Sequence, residues 1–110
     1  MPRMPEPPAT FKDFIATYPE LARAWEQAQD AARKGPLDLK TQRLVKLAIA
    51  MGAMREGAVH SAVRKARAAG ASESEIAQVV ALGATTLGFP ATVALFSWVR
   101  EVGAHPSESE

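Results

Sequence analysis

Glu56, His60 and Arg64 form the arrangement in this sequence that is best suited to acid–base chemistry. They fall at positions i, i+4 and i+8 of a predicted helix, so their side chains line one face of it. A carboxylate one turn away can orient an imidazole ring, and an oriented histidine is a candidate general acid or base. We therefore predict that His60 and Glu56 are catalytic. The alternative is that the three polar side chains only solvate an exposed helix face.

Arginines flank the candidate acid–base pair. Arg55 and Arg64 lie on either side of His60 in the sequence, and a guanidinium such as that of Arg64 can hold a carboxylate ligand. Arg43 belongs to the preceding predicted helix, where a charge among apolar residues requires a partner.

The chain contains no cysteine and two histidines. The absence of cysteine excludes disulfides, thiolate nucleophiles and thiolate metal sites. His105 stands next to a proline near the C-terminus, which leaves His60 as the histidine of the helical region. We therefore expect no histidine-based metal site within one chain. The sequence has no glycine-rich phosphate-binding motif, and we expect no cofactor.

The composition is typical of one globular domain. The chain has 110 residues, of which 47% are hydrophobic, and a net charge of +1. This charge is too small to favour nucleic acid or an anionic membrane as the main partner. No apolar run approaches the ~18 residues that span a bilayer, and the first residues lack the apolar segment of a secretory signal. We expect a cytoplasmic protein, which the absence of cysteine allows.

Helices must position the candidate residues, because hydrophobic residues recur at helical spacing and no useful β-alternation occurs. We predict an all-α fold of about six helices. A single domain is expected over residues 10–102. Residues 1–9 contain four prolines and are expected to form a flexible arm, and residues 103–110 are expected to form a flexible tail.

Several residues mark where the predicted helices begin and end. Asp38 is a suitable N-cap for the third helix. Gly70 stands where a helix end requires a left-handed residue. Ser72 and Glu75 have the spacing of a capping box, which opens the fifth helix. We predict that this fifth helix continues to Gly88 and that the sixth follows at once.

The sixth predicted helix is apolar on nearly all sides. An exposed apolar face of this kind usually contacts another chain, so we predict a homo-oligomer with this helix in or near the interface. The alternative is that the helix lies between the third and fifth helices of the same chain. The apolar residues on which this prediction rests are Val93, Leu95, Phe96, Trp98, Val99 and Val102.

Four stretches in a fixed order resemble the carboxymuconolactone decarboxylase family. They are LDLKTQRLVKLAIA, REGAVHSA, ARAAGASESEI and GATTLGFP, and the resemblance covers about residues 19–102. It implies the all-helical fold that this family shares with the alkylhydroperoxidase D-like proteins. It also implies assembly as a homotrimer or a homohexamer.

The peroxidase branch of that fold carries a glutamate, a C-x-x-C pair and a histidine. With Gly70 as the anchor of the comparison, the cysteine positions fall on Arg55 and Ala58, the histidine position on Ala62 and the glutamate position on Arg43. All four are replaced. Because that chemistry requires a thiolate, peroxidase activity of this chain is excluded, unless a partner protein supplies the thiol.

The resemblance to the decarboxylase branch implies action on a small carboxylated lactone or a related acid, with loss of carbon dioxide. Such a site requires a cation for the carboxylate and a proton donor for the carbanion. The resemblance therefore implies that Arg55, Arg64 and Arg43 bind the carboxylates of the substrate. His60, oriented by Glu56, would supply the proton. The alternative function is a non-catalytic helical oligomer that binds a small acid or a protein partner.

Overall fold

The computed structural model describes residues 9–103, which form helices and no strands. The predicted all-α fold class is confirmed. The fourth helix begins at the candidate catalytic residue Glu56. The helices in chain order are α1 (Ala9–Thr17), α2 (Pro19–Arg33), α3 (Leu39–Gly52), α4 (Glu56–Ala68), α5 (Glu73–Leu82), α6 (Ala84–Leu87) and α7 (Phe89–Val102).

The predicted helix ends are present in the structure. The side chain of Asp38 accepts a hydrogen bond of 2.8 Å from the backbone N–H of Thr41 at the start of α3. Gly70 has a φ of +97° after α4. Ser72 and Glu75 form both bonds of the capping box, with distances of 3.0 and 2.8 Å. These local signals fix the boundaries of the helices that carry the site.

The predicted fifth helix does not continue to Gly88. α5 ends at Leu82, and the four-residue α6 follows. At the junction, the N–H of Gly83 donates to the carbonyl of Val80, three residues back. A Cβ at Gly83 would lie 3.3 Å from both Leu87 Cδ1 and the Val80 carbonyl oxygen. The chain thus tightens at Gly83, where the absence of a side chain leaves room for Leu87.

The described residues divide into two compact units, residues 9–37 and residues 38–103. The first unit contains α1 and α2, which contact each other. Neither helix buries a residue. The rings of Phe14 and Tyr18 lie 5.3 Å apart. The single domain over residues 10–102 stays a prediction. The expected N-terminal arm and C-terminal tail lie outside the described residues, except for Ala9 and Gly103.

The second unit contains a hydrophobic core built from α3, α4, α5 and α7. α4 packs against both α3 and α7, and α5 packs against the same two helices. Each fully buried side chain contributes about 1.5–3 kcal/mol through removal of apolar surface from water. The fully buried side chains are Leu47, Val59, Val63, Ile76 and Leu95.

Two ion pairs connect the helices of this unit. Arg67 at the end of α4 donates to both carboxylate oxygens of Glu73 at the start of α5, at 2.7 and 2.9 Å. Lys40 of α3 donates to Glu75 of α5 at 2.9 Å. The hydrogen bond with Glu75 raises the pKa of Lys40. These pairs fix α5 against its neighbours on the polar side of the core.

An apolar cavity of about 370 Å³ lies in the second unit beside α3, α5, α6 and α7. Met51, Val80 and Leu95 of the core also line it. The remaining lining residues are Thr41, Leu44, Val45, Ala48, Gly52, Val79, Leu82, Gly83, Thr86 and Leu87. Within residues 9–103, none of the helices has the length and apolar character required to cross a membrane.

Candidate functional site

Glu56, His60 and Glu101 come together where the beginning of α4 lies beside the end of α7. His60 Nε2 is 3.8 Å from Glu56 Oε2, on the same helix face, and 3.3 Å from Glu101 Oε1. One nitrogen and two carboxylate oxygens of these residues all lie within 4.8 Å of one another. The imidazole therefore faces carboxylates from two helices. We call these three residues the His60 cluster.

Packing of neighbouring residues positions the His60 cluster. Val59 and Val63 of α4 are fully buried, and Val99 of α7 is nearly so. These residues hold α4 and α7 together. His60 directly follows Val59, and Glu101 lies two residues after Val99, so both lie at the edge of this contact. The cluster is thus held by the hydrophobic core and not by a flexible loop.

His60 is partly buried, whereas both carboxylates are accessible. The side chain of His60 is 25% exposed, and those of Glu56 and Glu101 are 50% and 54% exposed. The Nε2 atom itself is buried and has no hydrogen-bond partner among the described residues. A buried polar atom without a partner costs about 1–3 kcal/mol. A group that bonds to Nε2 would therefore stabilise the cluster.

The ends of α4 and α7 carry partial charges of opposite sign that act on the His60 cluster. Glu56 is the first residue of α4, where the partial positive charge of the helix N-terminus favours a carboxylate. Glu101 lies in the last turn of α7, where the partial charge is negative. The adjacent Arg100 places its guanidinium 5.5 Å from the centre of the Phe96 ring. The Glu101 end of the cluster is therefore attractive to a cation.

The three candidate arginines occupy different places. Arg55 is the exposed N-cap residue of α4 and makes no capping bond with its side chain. Arg64 is exposed on α4, and Arg43 is half-buried on α3. Arg43 and Arg64 act electrostatically on Lys65, as does Lys46.

Arg43, Lys46, Arg64 and Lys65 form a second group, which we call the basic cluster. Burial is the main cause that lowers the pKa of Lys65, and the positive charges of the other three residues lower it further. Four cations on two adjacent helices make this a surface that favours anions. The structure thus groups Arg43 and Arg64 around Lys65, while Glu56 and His60 meet Glu101.

Sequence reasoning did not identify Glu101. It is the single carboxylate of the mostly apolar α7, and this interruption was the available signal. The expectation of no metal site considered histidines alone. One imidazole and two carboxylates can also hold a metal ion, and the His60 cluster supplies those three groups.

A protein-family model described as the carboxymuconolactone decarboxylase family matches residues 19–101. The chain belongs to this family, and the resemblance found in the sequence is confirmed. The match runs across both compact units. Searches of curated proteins and of solved structures found no match.

Proposed function

We propose that this protein is an enzyme that acts on a small carboxylated lactone or a related acid by acid–base chemistry, with His60 as the group that transfers the proton. The observation that carries the proposal is the position of the His60 imidazole between the carboxylates of Glu56 and Glu101. Membership of the decarboxylase family supports the class of reaction.

We assign His60 the role of proton donor, because imidazole is the side chain most often used for proton transfer. In a decarboxylation, the bond to the departing carboxylate breaks, carbon dioxide leaves, and its electron pair remains on the substrate. The imidazolium then transfers its proton to that carbon.

Cations on α3 and α4 would hold the carboxylate groups of the substrate. Arg64 lies one turn beyond His60 on α4 and also belongs to the basic cluster. Arg55, at the start of the same helix, is exposed and available to a ligand. Arg43 contributes through the basic cluster. A guanidinium on each side of the reacting group would orient the substrate.

The experiment is to incubate the purified protein with 4-carboxymuconolactone and to measure the release of carbon dioxide. We expect turnover that falls at least about 100-fold in His60→Ala, which is the lower range of a general acid's contribution. Glu101→Gln is expected to reduce turnover less. Glu20→Gln, an exposed carboxylate on α2, is the control and should behave as the parent protein.

Turnover that survives in His60→Ala would contradict the role of His60. No turnover in the parent protein would contradict this substrate. In that case the basic cluster favours the second candidate, a non-catalytic helical oligomer that binds a small acid. Binding of such an acid, lost in Arg64→Gln and retained in Glu20→Gln, would support that function.

We also propose that the protein assembles as a homotrimer or a homohexamer through α7. Phe89, Val93 and Phe96 follow one another at helical spacing, and they are 75%, 65% and 44% exposed. An apolar stripe of this kind is typical of a contact between chains. The cytoplasmic location stays a prediction from the sequence.

A further inference from the structure

We propose that Glu56, His60 and Glu101 form a binding site for a divalent ion of the zinc class, and that the bound ion stops proton transfer by His60. The second part rests on the proposed function, whereas the first stands on geometry alone. The site joins the first two turns of α4 to the last turn of α7.

The distances in the His60 cluster approach those of a metal site. Zinc binds histidine nitrogen and carboxylate oxygen at about 2.0–2.2 Å, so two ligand atoms at a tetrahedral angle lie about 3.4 Å apart. His60 Nε2 lies 3.3 Å from Glu101 Oε1 and 3.8 Å from Glu56 Oε2. Both glutamate side chains are half-exposed and can adjust by rotation about their own bonds.

The state of Nε2 is an independent argument for a cation. This nitrogen is buried and makes no hydrogen bond, although a carboxylate oxygen lies only 3.3 Å away. The Glu101 oxygen therefore lies off the direction of the Nε2–H bond. Two atoms that bind the same metal ion have this arrangement, because each points at the ion and not at the other atom.

The donor set indicates which ions the site would take. Imidazole favours zinc, copper, iron and nickel over magnesium and calcium, which prefer oxygen ligands. Three protein ligands leave a fourth position open to water. Two carboxylates neutralise the charge of a divalent ion, and the negative end of the α7 dipole adds to the attraction.

A bound ion has a direct consequence for the proposed chemistry. It occupies the Nε2 lone pair, and the same lone pair carries the proton in acid–base catalysis. A metal-loaded protein therefore cannot donate a proton from His60. The site makes the activity sensitive to the concentration of free zinc.

The first test measures binding without any substrate. The full chain, treated with a chelator and dialysed, is titrated with zinc chloride by calorimetry and with cobalt(II) by visible absorption. We expect one ion per chain and the absorption bands of a four-coordinate cobalt site. His60→Gln and Glu101→Gln should each weaken binding more than about tenfold, since even residues that only support ligands change affinity by 10- to 100-fold.

His105→Gln is the matched control, because it removes the other histidine of the chain, which lies outside the described residues. Its affinity should equal that of the parent protein. Circular dichroism shows whether each variant keeps its helices, and Glu101→Gln alters an exposed side chain that the fold does not require. The site is overturned if the parent protein does not bind zinc, or if His60→Gln and Glu101→Gln bind zinc as tightly as the parent protein does.

The second test adds zinc to the decarboxylation assay. We expect zinc to inhibit turnover with the affinity found by calorimetry. Turnover should return when a chelator is added. Zinc that binds at the site without inhibiting turnover overturns the second part of the proposal. Absence of turnover in the metal-free protein overturns the proposed function, and with it the inhibition, but does not change the binding result.

Discussion

The guanidinium of Arg67 donates to both carboxylate oxygens of Glu73, at 2.7 and 2.9 Å, across the turn between α4 and α5. Arg67 is 8% exposed, and its Nη1 has no hydrogen-bond partner among the described residues. A buried charge of this kind depends strongly on its partner. The turn that contains Gly70 is thus secured by a charged pair as well as by backbone hydrogen bonds.

Glu73→Ala would leave the buried guanidinium without its partner. Loss of one member of a fully buried pair costs 3–5 kcal/mol, and because the Glu73 side chain is 64% exposed, we expect about 2 kcal/mol here. Urea unfolding measures the change. Glu20→Ala is the control, since its pair with Arg23 is exposed and 4.0 Å long, and should cost less than about 0.5 kcal/mol. Equal losses in the two variants would contradict the prediction.

Ser72→Ala removes the N-cap of α5. Ser72 accepts the hydrogen bond from the N–H of Glu75, and its own N–H donates to the Glu75 side chain. The substitution should destabilise the protein by about 1 kcal/mol. Ser74→Ala, two residues further into the same helix, is the matched control and should be close to neutral. Thermal unfolding of both variants at one pH gives the comparison.

The stability of the protein should depend on Lys65 at alkaline pH. Burial and the surrounding cations lower its pKa in the folded state, so between the folded pKa and the ordinary value of about 10.4 the unfolded chain binds more protons. Lys65 therefore makes a contribution to stability that rises with pH through this window. Lys65→Gln should remove that rise and, at neutral pH, stabilise the protein by a few tenths of a kcal/mol.

Lys34→Gln serves as the control for this pH dependence, because Lys34 is exposed at the end of α2. The measurement is the difference in unfolding free energy between each variant and the parent from pH 7 to 10. A difference that does not change with pH for Lys65→Gln would show that neither burial nor the cations lower the pKa of Lys65 in the folded state.

Val93→Glu should disrupt the proposed assembly. Val93 is 65% exposed on α7, and a charge in a contact between chains would be left without water or a partner. We expect a smaller particle in light scattering after size exclusion, with helical content unchanged. Gln78→Glu, which places the same charge at an exposed position of α5, is the control. A parent protein that is already monomeric would contradict the assembly.

Local signals in the sequence predicted the helices, and tertiary packing determined the rest. Asp38, Gly70 and the Ser72–Glu75 box act on neighbours within a few residues, so their effect can be predicted from spacing alone. The meeting of His60 with Glu101 depends instead on how α7 returns along α4, which no local pattern contains. For the same reason the grouping of Arg43 with Lys65 was not foreseen.

The break at Gly83 illustrates the same limit inside one element. The pattern from Ser72 onward is compatible with a continuous helix, and Gly83 alone reduces helix stability by only about 1 kcal/mol. A side chain at this position would crowd Leu87 and the Val80 carbonyl, so the packing at the break favours glycine. The result is a short α6 and a cavity that opens between it and α3.

A molecule that occupies that cavity should change the stability of the fold. Met51, Val80 and Leu95 form its wall and also the core, so an apolar molecule or chain seated there extends the core itself. Anything that binds only the folded state raises the free energy of unfolding, by about 2.7 kcal/mol at a concentration 100 times its Kd. An apolar compound that fills the cavity should therefore raise the melting temperature of this protein, and a thermal-shift screen of such compounds would need no knowledge of the reaction.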